Sequence, residues 1–213
     1  AKIVSIEPLG EQTMIDLQTT EGTYIAEGFV SHNTTLCCLI YLDACIFTPN
    51  TRAGVIAHKL DDAKVIFRDK IKFPFDNLDE GLKSAVAVRQ DSADTLTLAN
   101  NSSIRVSTTM RSGTLQYLHV SEFGKICSQY PEKAREIVTG ALNTVQAGQF
   151  VVIESTAEGQ EGRFYEMVQT AQAKALSGQE LSALDYKFHF FPWWRDKKYV
   201  LTYGHPVIGP EDQ

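Results

Sequence analysis

Along residues 34–213 the apolar positions take turns between helical and strand spacing. Residues 34–47 form an apolar run of helix length that stops before Pro49, and residues 54–57 are short and apolar enough for a buried strand. The spacing predicts an amphipathic helix over 61–72, a hairpin of strands 95–98 and 104–107 across Ala99-Asn100-Asn101-Ser102, and a strand over 117–121. Pro131 opens a further helix. Residues 150–154 read as a buried strand, 162–176 as a helix, and 186–191 as a last strand before the aromatic cluster Phe191-Pro192-Trp193-Trp194. Such alternation predicts an α/β domain with a largely parallel sheet.

Residues 1–33 follow a different rhythm. Brief β-rich runs at 3–6, 13–17 and 23–26 are separated by turn signals at Pro8-Leu9-Gly10 and Glu21-Gly22, which predicts a small antiparallel β segment. The pattern changes after Ser31-His32-Asn33, so the chain is expected to divide into a segment 1–33 and a domain 34–213.

Composition narrows the function classes. The chain has 213 residues, 43% hydrophobic and 22% charged, which fits a folded protein and excludes disorder or a collagen-like fibre. The longest apolar runs, 36–42 and 150–153, fall far short of the roughly 18 residues of a spanning helix. No membrane partner is expected. The start, Ala1-Lys2-Ile3-Val4-Ser5, lacks the pattern of a secretory signal, and a cytoplasmic location is expected. Cysteines at 37, 38, 45 and 127 match neither a zinc nor a disulfide spacing and read as reduced core thiols. Residues 1–33 carry one lysine against five acids, and the remainder nineteen cations against twenty-one acids, so there is no basic nucleic-acid footprint.

The tripeptide His32-Asn33-Thr34 brings three reactive groups together. An asparagine amide can attack its own carbonyl, closing a succinimide and cleaving the following peptide bond, a step favoured by its intramolecular geometry. A neighbouring histidine can protonate the departing amide, and the threonine hydroxyl is a nucleophile. Taken alone the tripeptide also reads as a polar loop. In context, residues 13–17 followed by Gly22-Thr23-Tyr24-Ile25-Ala26-Glu27-Gly28-Phe29-Val30-Ser31-His32-Asn33 resemble the C-terminal splicing motifs of inteins. The resemblance covers residues 1–33. It implies Asn33 as the cyclising residue, His32 as its assistant, Thr34 as the first residue of the downstream extein, and Asp16 as the acid that helps activate the junction. The family often has a histidine two positions before the aromatic matched by Tyr24; Gly22 stands there instead. The resemblance further implies an N-terminal intein fragment as partner, in a split intein, or else a contiguous intein met midway.

Thr34-Thr35-Leu36, leading into a helix, has the form of the end of a P-loop, G-x-x-x-x-G-K-[ST], without its glycines or lysine. We expect the interruption to fall between the P-loop Lys and its Thr, so that the Thr34 hydroxyl serves first in splicing and afterwards on Mg²⁺ bound to ATP. A Thr-rich helix cap is the alternative. Tyr117-Leu118-His119-Val120-Ser121-Glu122 is an apolar strand ending in a carboxylate, the form of a Walker B motif with Ser121 in place of the usual metal-side Asp. Glu122 is expected to orient or deprotonate the attacking water, and Ser121 to hold the metal's water shell.

Three further runs follow in order: Leu98-Ala99-Asn100-Asn101-Ser102-Ser103-Ile104, then Arg111-Ser112-Gly113-Thr114-Leu115-Gln116-Tyr117 through Glu122-Phe123-Gly124-Lys125, then Glu154-Ser155-Thr156-Ala157-Glu158-Gly159. With Thr34-Thr35 this order resembles the ATPase domain of phage terminase large subunits, over nearly all of 34–213. The resemblance implies an incomplete P-loop NTPase fold, with Thr34, Thr35, Ser121, Glu122, Ser155 and Thr156 at the nucleotide and Ser155-Thr156 sensing the γ-phosphate. ATP and Mg²⁺ are the implied cofactors; double-stranded DNA, other terminase subunits and the portal are the implied partners. Arg111 is a candidate for phosphate or a neighbouring subunit, or a solvated loop residue. Because Asn33 rather than Lys precedes Thr34, no ATPase activity is expected before splicing. Two alternatives stay open: another P-loop NTPase such as a superfamily-2 helicase, and a non-catalytic assembly fragment that docks through residues 1–33.

Overall fold

The computed structural model describes Tyr24–Ala26, Phe29–Ser31 and residues 33–111 and 113–190. These fall in two compact units, the larger being Asn33–Phe188. In the smaller, β1 (Tyr24–Ala26) and β2 (Phe29–Ser31) pair antiparallel with Ile25 opposite Val30. The strands expected over 3–6 and 13–17, together with Asp16 and His32, lie outside the described residues.

The larger unit opens with α1 (Asn33–Phe47), whose buried Cys37, Cys38, Tyr41, Leu42, Cys45 and Ile46 recur at helical spacing. Pro49 and the left-handed Asn50 (φ 61°) end it. Next come β3 (Arg52–Ile56) and α2 (Leu60–Phe67), which runs through a π-helical turn at Arg68–Lys72 into α3 (Phe73–Asp76). The helix expected over 61–72 is thus present and longer. α4 (Glu80–Ala85) starts where the Asp79 carboxylate accepts from the Gly81 N–H at 2.8 Å. β4 (Val88–Asp91), β5 (Thr95–Leu98), β6 (Ser103–Ser107), β7 (Leu115–Val120), α5 (Phe123–Gln129), α6 (Pro131–Glu136), β8 (Val145–Ile153) and α7 (Gly162–Ser177) complete the unit.

The six-stranded sheet has the order β4-β5-β6-β3-β7-β8. Strands β6, β3, β7 and β8 are mutually parallel, and β4 and β5 add antiparallel at one edge. The expected α/β class with a largely parallel sheet is therefore observed, including the hairpin through Ala99–Ser102. Of the strand expected over 186–191, the described residues Tyr186–Phe190 are not in strand conformation, and Phe191 lies outside the described residues.

Side chains alternate across β7 as the pleat requires. Leu118 and Val120 are wholly buried with Ile56, Phe123, Ile126 and Ile137 on one face, each buried aliphatic or aromatic contributing about 1.5–3 kcal/mol. Tyr117 lies on the other face, against the core that α1 shares with Val55, Leu96, Ile104 and Val106. His119 and the position after the strand, Ser121, follow Tyr117 at intervals of two, which directs them to α1. The β5–β6 turn fastens the far end of α1: Asn100 Nδ2 donates to the carbonyls of Cys45 (2.9 Å) and Ile46 (3.2 Å), and Ser102 Oγ donates to that of Thr48 (2.8 Å).

Candidate functional site

Three parallel strands end together and define the site. The register pairs Val120 with Ile56 on one side and with Ile153 on the other, so Ser121 and Glu154 emerge side by side. The backbone fixes them there: Ser121 N–H donates to Ile56 O (2.9 Å), Glu154 N–H to Val120 O (3.1 Å), and Phe123 N–H to Glu154 O (3.0 Å). The mouth at the carboxyl ends of parallel strands is where α/β sheets bind ligands.

Thr34 sits in the first turn of α1, with Oγ1 3.3 Å from Ser121 Oγ. Ser121 in turn donates to Glu154 Oε1 at 2.8 Å. A serine hydroxyl has a single O–H, and Glu154 takes it, so Thr34 is the donor to Ser121. The result is a directed relay from Thr34 through Ser121 to the Glu154 carboxylate. His119, wholly buried, brings Nε2 to 3.4 Å from the same Glu154 oxygen, an ion-pair distance without hydrogen-bond alignment. Burial pulls the His119 pKa down, but Cys37 and the Glu154 carboxylate outweigh it and the net shift is upward. For Glu154 burial pushes the pKa up, yet His119, the Ser121 hydroxyl and the Glu122 N–H hold it below the usual carboxylate range. Glu154 is therefore an ionised carboxylate in a largely enclosed place, its side chain 19% exposed.

Glu122 directly follows Ser121, in the left-handed region (φ 54°, ψ 45°), which costs a β-carbon-bearing residue of order 1–3 kcal/mol. Its Oε2 accepts from Thr156 Oγ1 (3.3 Å) and pairs with Lys125 Nζ (3.4 Å). Ser155 faces elsewhere: its Oγ is buried under α5 with no partner among the described residues. A β-carbon at Gly124 would lie 2.7 Å from Ser155 Oγ and 3.0 Å from Thr156 O, so the close approach of α5 to the end of β8 requires glycine.

Of the residues singled out from sequence, Thr34, Ser121, Glu122 and Thr156 meet here. Thr35 is half-buried on α1 outside these contacts. Asn33 begins α1, and Arg111 is exposed and ion-paired with Glu136. Sequence reading passed over Glu154 and His119. The available signal was positional: Glu154 adjoins Ser155-Thr156, and His119 shares the parity of Ser121 on one strand.

The groups linked here are oxygens, namely the Thr34 and Ser121 hydroxyls and the Glu154 carboxylate, which suits a hard divalent cation. Among the described residues no group of three His, Cys, Asp or Glu side chains could hold a metal by itself.

No protein-family profile matches the chain, and no curated protein matches it in sequence. Among solved structures it is similar to the large terminase ATPase domain of Thermus phage P74-26. An arginine-to-alanine mutant of that domain aligns at 17% identity over 63% of this chain and 59% of that one, with a TM-score of 0.42. A second structure of the domain aligns at 16% identity over 73% of this chain and 67% of that one, with a TM-score of 0.43. The chain thus spans 59% of the length of the first.

Proposed function

We propose that residues 34–213 carry most of an ATP-hydrolysing site of the terminase kind, and that residues 1–33 are a splicing segment removed before the site is complete. The observation that carries the first part is the hydrogen bond from the Thr34 hydroxyl to Ser121 at the end of a parallel strand, where a P-loop threonine meets its Walker B strand.

Thr34 and Ser121 are the hydroxyls that would hold Mg²⁺ and its water shell. When bound, the ion supplies charge neutralisation across the phosphate oxygens. Glu122 orients the attacking water and takes up its proton, and its strained backbone and contacts to Thr156 and Lys125 fix the carboxylate's direction. Thr156 is the residue at the end of β8 that joins this carboxylate, so a shift of the β8 loop would move Glu122 with it. Ser155 packs beneath Gly124.

The glycine-rich loop and lysine must come from sequence joined to Thr34. Their source in this reading is an N-terminal intein–extein partner. Asn33 cyclises with help from His32 and Asp16, and Thr34 accepts the acyl chain, roles that rest on the sequence resemblance. In the same reading the joined protein works in the bacterial cytoplasm on double-stranded DNA, with other terminase subunits and the portal.

Two measurements test the two parts. In the joined protein, Glu122→Gln should keep ATP binding and lower turnover by about 10²–10⁴-fold, the worth of a positioned general base; unchanged turnover would remove Glu122 from the chemistry. Intact mass spectrometry after mixing with the partner should show residues 1–33 expelled and residues 34–213 ligated, and Asn33→Ala should block the release. A mass that never changes would return residues 1–33 to a docking role.

A further inference from the structure

The position where a Walker B strand carries its metal-side acid is occupied here by Ser121, a hydroxyl without charge. We propose that Glu154, at the end of the neighbouring strand, supplies the missing carboxylate and acts on the cation through Ser121, as a positioning residue. This rests on the ATPase reading above and adds to it a residue on a different strand.

Three observations converge. The register sets Glu154 next to Ser121, and the two are hydrogen-bonded at 2.8 Å. The relay has one direction, from Thr34 to Ser121 to Glu154, since the carboxylate can only accept. With both hydroxyl protons drawn toward Glu154, the lone pairs of Thr34 and Ser121 are left for a cation or its waters. The third observation is that Glu154 stands in a fixed frame: its N–H and C=O are bonded to Val120 and Phe123, and buried His119 lies at ion-pair distance from the same oxygen that Ser121 donates to. A neutral acceptor at 154 would keep the shape of this relay but remove the charge that biases it. Glu122 is not a substitute, because its carboxylate is turned to Thr156 and Lys125.

A purely structural role, as counter-charge to buried His119, is the competing account, and removing Glu154 alone would leave that histidine unpaired. The test therefore pairs the substitution. On the P-loop-bearing joined protein, binding of a fluorescent ATP analogue is titrated with Mg²⁺ and compared with binding in EDTA. His119→Gln alone should retain the wild-type Mg²⁺ requirement. His119→Gln with Glu154→Gln should raise the Mg²⁺ concentration needed by about 10–100-fold while leaving affinity in EDTA within about twofold, as for the loss of an outer-sphere metal partner. Adding Ser121→Asp to that pair should restore the requirement. A wild-type Mg²⁺ response in the His119→Gln, Glu154→Gln protein overturns the proposal and leaves the ATPase reading standing. A wild-type joined protein that binds no nucleotide in either condition overturns both.

Discussion

At the scale of single residues, small groups decide the site. Gly124 is tolerated by its surroundings only because it lacks a β-carbon, and Gly124→Ala should cost about 1–3 kcal/mol as α5 is forced off the β8 end. Denaturant unfolding reads this directly, and a cost near zero would mean that α5 is free to shift. Ser155→Ala in the same background should recover part of the loss, because it removes the nearer obstacle. Alone, Ser155→Ala should be neutral or slightly stabilising, since its hydroxyl is buried without a partner among the described residues. The buried thiols make a second prediction. Burial pushes Cys38 and Cys45 up to about 12, so both stay protonated and should resist alkylation at neutral pH until the protein unfolds. In the unfolded chain the same thiols ionise near 9, so the unfolded state binds fewer protons between about 9 and 12. The two thiols therefore contribute no pH dependence below 9 and a loss of stability as pH rises through that window, which melting curves at stepped pH should show; replacing both cysteines by alanine should reduce the fall above 9.

At the scale of elements, the run Asn100-Asn101-Ser102 turns out to be structural. It sits in the β5–β6 turn and fastens the carboxyl end of α1, the helix whose first turn bears Thr34. Asn100→Ala removes donors from two terminal carbonyls and should lower stability by about 1–2 kcal/mol, or a melting temperature by about 2–8 °C in a domain this size. An unchanged melting temperature would show that water replaces the amide without loss. Elements with a strong period were legible in the sequence: the buried run of α1, the amphipathic helix that became α2, the β5–β6 hairpin and α7 all stand where the pattern put them. β4 was not, because its residues are exposed throughout and carry no alternation, so only its pairing with β5 defines it. The strand expected over 186–191 shows the reverse case, an alternating pattern whose described residues Tyr186–Phe190 are not in strand conformation.

At the scale of the whole molecule, the site is assembled from residues far apart in sequence, and that limits what sequence reading could reach. Thr34, Ser121, Glu122 and Thr156 could be singled out as candidates because each sits at a recognisable end of a helix or strand. Glu154 and His119 were missed because their significance lies in register, namely Ile153 beside Val120 and His119 two residues before Ser121, which only the paired sheet reveals. No helix among the described residues is long and apolar enough to cross a membrane. The central claim is that this chain holds most of a nucleotide site, with the phosphate-cradling loop arriving through sequence joined to Thr34. Equilibrium binding of Mg·ATP to the chain alone and to the joined protein tests it most directly. The account predicts no measurable binding by the chain alone, and binding by the joined protein that Thr34→Ala weakens. Equal binding by both, or none by either, would contradict it.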